Sequence, residues 1–203
     1  MKYRDLFFVW MSLCVFAMML TGCGVSKPSK FYLLHSMTTP EEIVSTSVDT
    51  DGPSVLIGPV TLPAYLNRRH IVKLVGNHEL VLDEFTQWAE PLEDTFYRVL
   101  MENLSLLLKT PKVYAYNSRG STPSDFQITI DVTRFDSVSG EDAYLTAFWT
   151  VVGKDDSIYL MQKKSVYHAA VSSTGLTGVV DAQNRTLTEF SREIAAAIQS
   201  LQQ

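Results

Sequence analysis

Two cysteines are all the chain has. Cys14 lies inside an apolar run near the start, and Cys23 lies just beyond that run. With so few thiols, neither a disulfide framework nor a thiolate metal cluster can be built from the chain's own residues. Basic charge is scarce too, with 17 Lys and Arg against 22 Asp and Glu and a net charge of −5. Nucleic-acid binders show a basic face, so no nucleic acid is expected as a partner. The apolar run Leu6–Leu20 holds 15 residues. A helix needs roughly 20 to span a bilayer core of about 30 Å, so the run is too short for an ordinary transmembrane helix.

The signatures of catalysis are also missing. There is no G-x-S-x-G elbow, no P-loop and no G-x-G-x-x-G. The histidines are His35, His70, His78 and His168, and no two stand four apart as on a zinc-binding helix. A hairpin could bring His70 and His78 together, but no carboxylate is placed to complete a metal site. The stretch STGLTG, Ser173–Gly178, lacks the P-loop lysine and reads as a turn before the last helix. Asp155 and Asp156 fall in a turn, where solvation accounts for them. The expectation is a chain that is not an enzyme, with no catalytic residue, no cofactor and no metal. A hydrolase would need a Ser beside a base such as His168.

The start of the chain is more informative. Lys2 and Arg4 precede the apolar run, and Leu20-Thr21-Gly22-Cys23 ends it. A basic start, a short apolar stretch and small residues make a signal peptide, and L-T-G-C resembles the bacterial lipobox. Cys23 is then the lipidation site, its thiol being the nucleophile that takes the diacylglyceryl group. Residues 1–22 read as signal peptide, 23–29 as the lipidated Cys and a short tether, and 30–203 as one folded domain. Removing residues 1–22, with Lys2, Arg4 and Asp5, leaves 181 residues with 15 basic and 21 acidic side chains, a net −6. A single acyl chain binds only marginally, each buried methylene contributing about 0.8 kcal/mol; the three chains of a bacterial lipoprotein make release negligible. Gly24 and Val25, rather than Asp, follow the Cys, which favours sorting to the outer membrane. The tether GVSKPS reaches about 20 Å when extended.

Beyond the tether, KFYLL (30–34) reads as a first strand, followed by a long Ser-, Thr- and Pro-rich loop. VLIGPVTLP is a strand whose Gly58-Pro59 marks a bulge or an edge. HIVKLV and HELVLD flank Gly76-Asn77 as a hairpin. A helix follows Pro91, with Glu90, Glu93 and Asp94 at its positive end, an apolar stripe from Leu92 to Leu108, and Thr110-Pro111 as its stop. KVYAY is a short strand. DFQITIDVTRF alternates, AYLTAFWTVV is apolar on both faces and therefore central, and SIYLMQKKSVYHAAV is the last strand. The final helix is placed at 179–201, with Leu187, Phe190, Ile194, Ala197, Ile198 and Leu201 on its stripe. The expected fold is α+β: a single domain, a largely antiparallel mixed sheet with two long helices packed on one face.

One stretch departs from the acidic background: LPAYLNRRHIVKL, Leu62–Leu74, which carries Arg68, Arg69, His70 and Lys73. It is either a contact surface for phosphate headgroups or an acidic partner, or an irregular segment whose cations pair with Glu90, Glu93 or Asp94. Trp88, in QWAEPL, either packs under the helix that follows or faces a partner.

These stretches carry a resemblance. LPAYLNRRHIV, then QWAEPLEDTFYRVLMENLSLLL, then DFQITIDVTRFDSVSGEDAYLTAFWTVVG resemble the ABC-type transport auxiliary lipoproteins, and FYLL matches the short strand that follows the lipidated Cys there. Asn67 stands where that pattern has Asp, and Arg69-His70 where it has Pro-Gln. The resemblance implies a non-enzymatic outer-membrane lipoprotein, facing the periplasm, that is the docking component of an MCE-type intermembrane lipid transport system. It implies an MCE-domain protein as partner and anchorage to the outer membrane through Cys23, while the sequence leaves a homo-oligomer open. The matching positions are Pro63, Tyr65, Leu66, Arg68, Trp88, Glu90 and Pro91, of which Pro63, Tyr65, Leu66, Arg68 and Trp88 are the candidate partner contacts. The alternative is a structural envelope lipoprotein that binds peptidoglycan or a secretion component.

Overall fold

The computed structural model describes residues 3, 7, 8, 10–12, 28–37, 51–76, 78–116, 124–138, 141–154 and 159–202. Cys23 and the lipobox lie outside them, as does most of the loop expected after the first strand. Among the described residues no helix is long and apolar enough to cross a membrane.

Eight strands form one sheet: β1 Lys30–Tyr32, β2 Val55–Thr61, β3 His70–Val75, β4 Glu79–Trp88, β5 Val113–Ala115, β6 Phe126–Val138, β7 Asp142–Gly153 and β8 Tyr159–Ala170. Two long helices complete the domain, α1 Leu92–Leu108 and α2 Leu176–Leu201. This is the mixed α+β domain expected. The long ladders β6–β7 and β7–β8 are antiparallel, as is the β3–β4 hairpin. The shorter pairings β1–β4, β2–β5, β2–β6 and β3–β6 are parallel.

β6 organises the sheet. One edge pairs along its length with β7. The other edge is shared: β2 takes its first half, and β3 takes its end at Ser137 and Val138. Its alternation explains this use. Phe126, Ile128, Ile130 and Val132 are buried in turn. A bulge between Val132 and Arg134 then shifts the phase, so Phe135 becomes the next buried aromatic.

α2 lies over β6, β7 and β8, while α1 packs on α2 and over β2 and β5. Phe96 of α1 meets Phe135 edge to face at 5.2 Å, and Trp149 of β7 meets Phe190 of α2 at 6.3 Å. Leu187, Phe190, Ile194 and Ile198 are all fully buried, and such a side chain contributes about 1.5–3 kcal/mol by leaving water. Two buried asparagines tie down the chain after β1. Asn184 Oδ1 accepts from the His35 N–H at 3.1 Å, and Asn103 Oδ1 accepts from the Met37 N–H at 2.9 Å.

Two details refine the sequence reading and a third corrects it. β7 is central, between β6 and β8, but the helices cover one face only, so Phe148 is 45% exposed. β2 has a bulge between Ile57 and Val60 and is not an edge, since β5 and β6 flank it. Gly58 has φ +120°, and a Cβ there would stand 2.8 Å from Tyr116 Cβ, so both conformation and space call for glycine. α2 begins at Leu176, so the end of STGLTG is helical rather than a turn.

Candidate functional site

The unusual stretch of sequence becomes a corner between β2 and β3. A 3₁₀ turn, Ala64–Leu66, is closed by the Leu66 N–H on Pro63 O at 2.9 Å. Asn67 follows with φ −75° and ψ 65°, the inverse γ conformation, and the Arg68 N–H reaches back to Leu66 O at 2.7 Å. The two tight turns drive Leu66 into the core at 3% exposure. They leave Asn67, Arg68 and Arg69 exposed.

Tyr65 fixes the corner from below. Its hydroxyl donates to Asp136 Oδ2 at 2.7 Å, and Asp136 is also held by Arg134 Nε at 2.9 Å. The Arg134 guanidinium lies 3.9 Å from the Tyr144 ring centre. Burial, with the Asp136 carboxylate beside it, pushes the Tyr65 phenol well above its ordinary range.

The segment around Trp88 is stitched to the same corner. The Trp88 N–H donates to Arg69 O at 2.7 Å, and the Ala89 N–H donates to Tyr32 O of β1 at 2.9 Å. Trp88 itself is 5% exposed and belongs to the core. Glu90 accepts from Arg98 at 2.6 Å and from the Thr95 hydroxyl at 2.7 Å. Those two bonds hold its carboxyl below the ordinary range. Glu90 is thus engaged by α1 rather than by the corner, and among the described residues no ion pair joins Arg68 or Arg69 to Glu90, Glu93 or Asp94. Of the five candidate contacts, Leu66 and Trp88 are core residues, Tyr65 and Pro63 are partly covered, and Arg68 is fully at the surface.

Together these segments line an open cleft of about 440 Å³. Its walls come from Phe31 of β1, from Asn67, Arg68 and Arg69, and from the run Gln87 to Pro91. Phe31 and Gln87 were not singled out from sequence, while Asn67 and Arg69 stood out there only as departures from the family pattern and, for Arg69, as one of the clustered cations. Phe31 to Leu34 are apolar or aromatic throughout, so no alternation marked Phe31 as the exposed member. The parallel β1–β4 pairing that places it beside Gln87 joins segments more than fifty residues apart, which no local pattern shows. His70 sits in β3 opposite Gln87, while His78 lies at the far turn of the hairpin. Among the described residues no group of three or more His, Cys, Asp or Glu could hold a metal ion. His168 lies near the Tyr144 ring at 6.2 Å.

A family model, the ABC-type transport auxiliary lipoprotein component, matches residues 32–195. The chain belongs to this family. The match spans both stretches that line the cleft, and it places the chain among lipoprotein components auxiliary to ABC-type transport, which associate with membranes. Two solved structures share the fold. One, from Xanthomonas campestris, is 19% identical with a TM-score of 0.68, covering 86% of this chain and 98% of its own. Another, an uncharacterised protein, is 17% identical with a TM-score of 0.67, covering 85% of this chain and 99% of its own. No curated protein matches the chain.

Proposed function

We propose that the protein is a non-enzymatic lipoprotein, held at the outer membrane by acyl chains on Cys23 and facing the periplasm, and that it is the docking component of an MCE-type lipid transport system. Residues 1–22 are its signal peptide, 23–29 its anchor and tether, and 30–203 its working body. One observation supports this reading most. Two motif stretches that lie apart in the sequence converge on one exposed cleft and set two arginines at its rim, while Tyr65, Leu66 and Trp88 hold the rim in place from inside. Such an arrangement suits contact with an anionic partner. Arg68 makes that contact, and Pro63, Tyr65, Leu66 and Trp88 shape it.

Feeding cells a labelled fatty acid and separating inner from outer membranes tests the anchor. The wild type carries label in the outer-membrane fraction, and Cys23→Ser carries none. Equal label in the two proteins overturns the lipidation, and label confined to the inner membrane overturns the sorting.

A further inference from the structure

We propose that the cleft beside β1 rests on the bilayer surface, with Phe31 entering the interfacial layer and Arg68 and Arg69 binding lipid phosphates. The inference rests on the reading of Cys23 as acylated and names the anionic partner of the Arg68 corner.

The first argument is reach. Phe31 follows Cys23 by eight residues, which extend to about 26–29 Å at most. A body of this size has a radius of gyration of about 15 Å and so a width of about 40 Å. The tether is shorter than the body is wide. The pole of the domain that carries β1 therefore stays turned toward the membrane.

The second argument is the chemistry at that pole. Phe31 is 63% exposed, an unusual position for a Phe in a strand. Lys30, Arg68 and Arg69 are exposed around it, and the one carboxylate lining the cleft, Glu90, is engaged by Arg98 and Thr95. Planar guanidinium groups match phosphate oxygens two at a time. An aromatic ring flanked by cations is the pattern of a surface that lies in the headgroup region. Asn67 and Gln87, also in the cleft, add donors for headgroup oxygens. The protein is acidic overall, so this local cationic corner orients it toward anionic lipid while the rest is repelled.

The test uses the mature acylated protein, Cys23 to the end, reconstituted in vesicles that contain tail-brominated phosphatidylcholine, with or without phosphatidylglycerol. Phe31→Trp reports the depth of the cleft by fluorescence quenching, read as the difference from the parent protein, which carries Trp88 and Trp149. Val166→Trp, also exposed but on β8 at the opposite edge of the sheet, is the control. All substituted positions are exposed, so the fold is kept. With phosphatidylglycerol present, the Trp at position 31 is quenched at least about twofold more than the Trp at 166, and Arg68→Glu with Arg69→Glu abolishes the difference. Equal quenching at both positions, or quenching indifferent to charge reversal, overturns the proposal. A chain that carries no acyl mass and stays out of the vesicle fraction overturns the anchor reading and this proposal together.

Discussion

The two ends of the sheet are built to different ends. At β6, β7 and β8 a helix covers the inner face, and the side chains beneath it are sealed: Leu145, Val151 and Ile194 have no exposed surface. Several polar side chains there are linked in a chain of hydrogen bonds, although Ser137 Oγ, Gln183 Oε1 and Asn184 Nδ2 are buried without a partner among the described residues. Trp149 Nε1 donates to Ser165 Oγ at 2.9 Å, and the Ser165 hydroxyl donates in turn to Glu193. Glu193 also receives Tyr167 at 2.7 Å and Lys163 at 2.9 Å. At β1, β3 and β4 the sheet thins to short pairings, and apolar side chains reach the surface: Phe31, Val75, Leu80, Val81 and Leu82 are all more than a third exposed. Phe148 and Val166 are exposed at the β6–β8 end too, so what separates the ends is the sealed face beneath α2, and the proposed contact surface lies at the other end. Substitutions should therefore separate stability from contact by position.

The largest effect is expected beneath α2. Ile194→Ala removes a fully buried side chain and should cost about 2–5 kcal/mol in chemical denaturation. A loss below roughly 0.5 kcal/mol would place this stripe outside the core and erase the contrast.

Glu193 comes next. Burial raises its pKa, but the hydrogen bonds from Ser165, Tyr167 and Lys163 outweigh this and hold the carboxyl below its ordinary value of 4.5. A depressed folded pKa stabilises the fold above the unfolded pKa, and that contribution is lost as pH falls through the folded value. Glu193→Gln should cost about 1.5–3 kcal/mol near neutral pH. Denaturation curves of wild type and variant should converge as the pH is lowered toward about 3; a constant gap would show that charge is not what the site uses.

Tyr65→Phe sharpens the boundary between the two ends, because its hydroxyl reaches from the corner to buried Asp136. Removing one partner of a buried carboxylate should cost about 1–3 kcal/mol, read as a lower denaturation midpoint. No change would detach the corner from the core. The smallest stability effect is expected at Arg68. Arg68→Glu should shift stability by less than about 0.5 kcal/mol, because no internal ion pair is broken among the described residues. A larger loss would make Arg68 part of the framework.

What the sequence made legible follows the same division. α1 was readable from Pro91, from its acidic first turn and from a stripe at helical spacing, and β6 from Phe126 through Val132 by alternation. These are local periods, set by which face meets the core. The bulge after Val132 was not readable, because it only redirects the phase that brings Phe135 inward. The parallel pairings of β2 and β3 along β6 were hidden for a different reason: they depend on a corner at Ala64–Leu66 after which the chain continues in the same direction along β6, and propensity does not mark it. Within the candidate site, the cations of Leu62–Leu74 stood out against an acidic chain. Pairing with Glu90 was one of the two readings of these cations, and Arg98, two turns along the helix, takes that carboxylate instead. Trp88 read in sequence more readily as packing under the helix than as a partner contact, and 5% exposure places it in the core.

The most direct test of the central claim is the identity of what co-purifies with the intact, acylated chain from detergent-solubilised envelopes, read by mass spectrometry. The account predicts an MCE-domain protein with the wild type and its loss with Cys23→Ser. Recovery of peptidoglycan fragments or secretion components, with no MCE-domain protein from either chain, would contradict it.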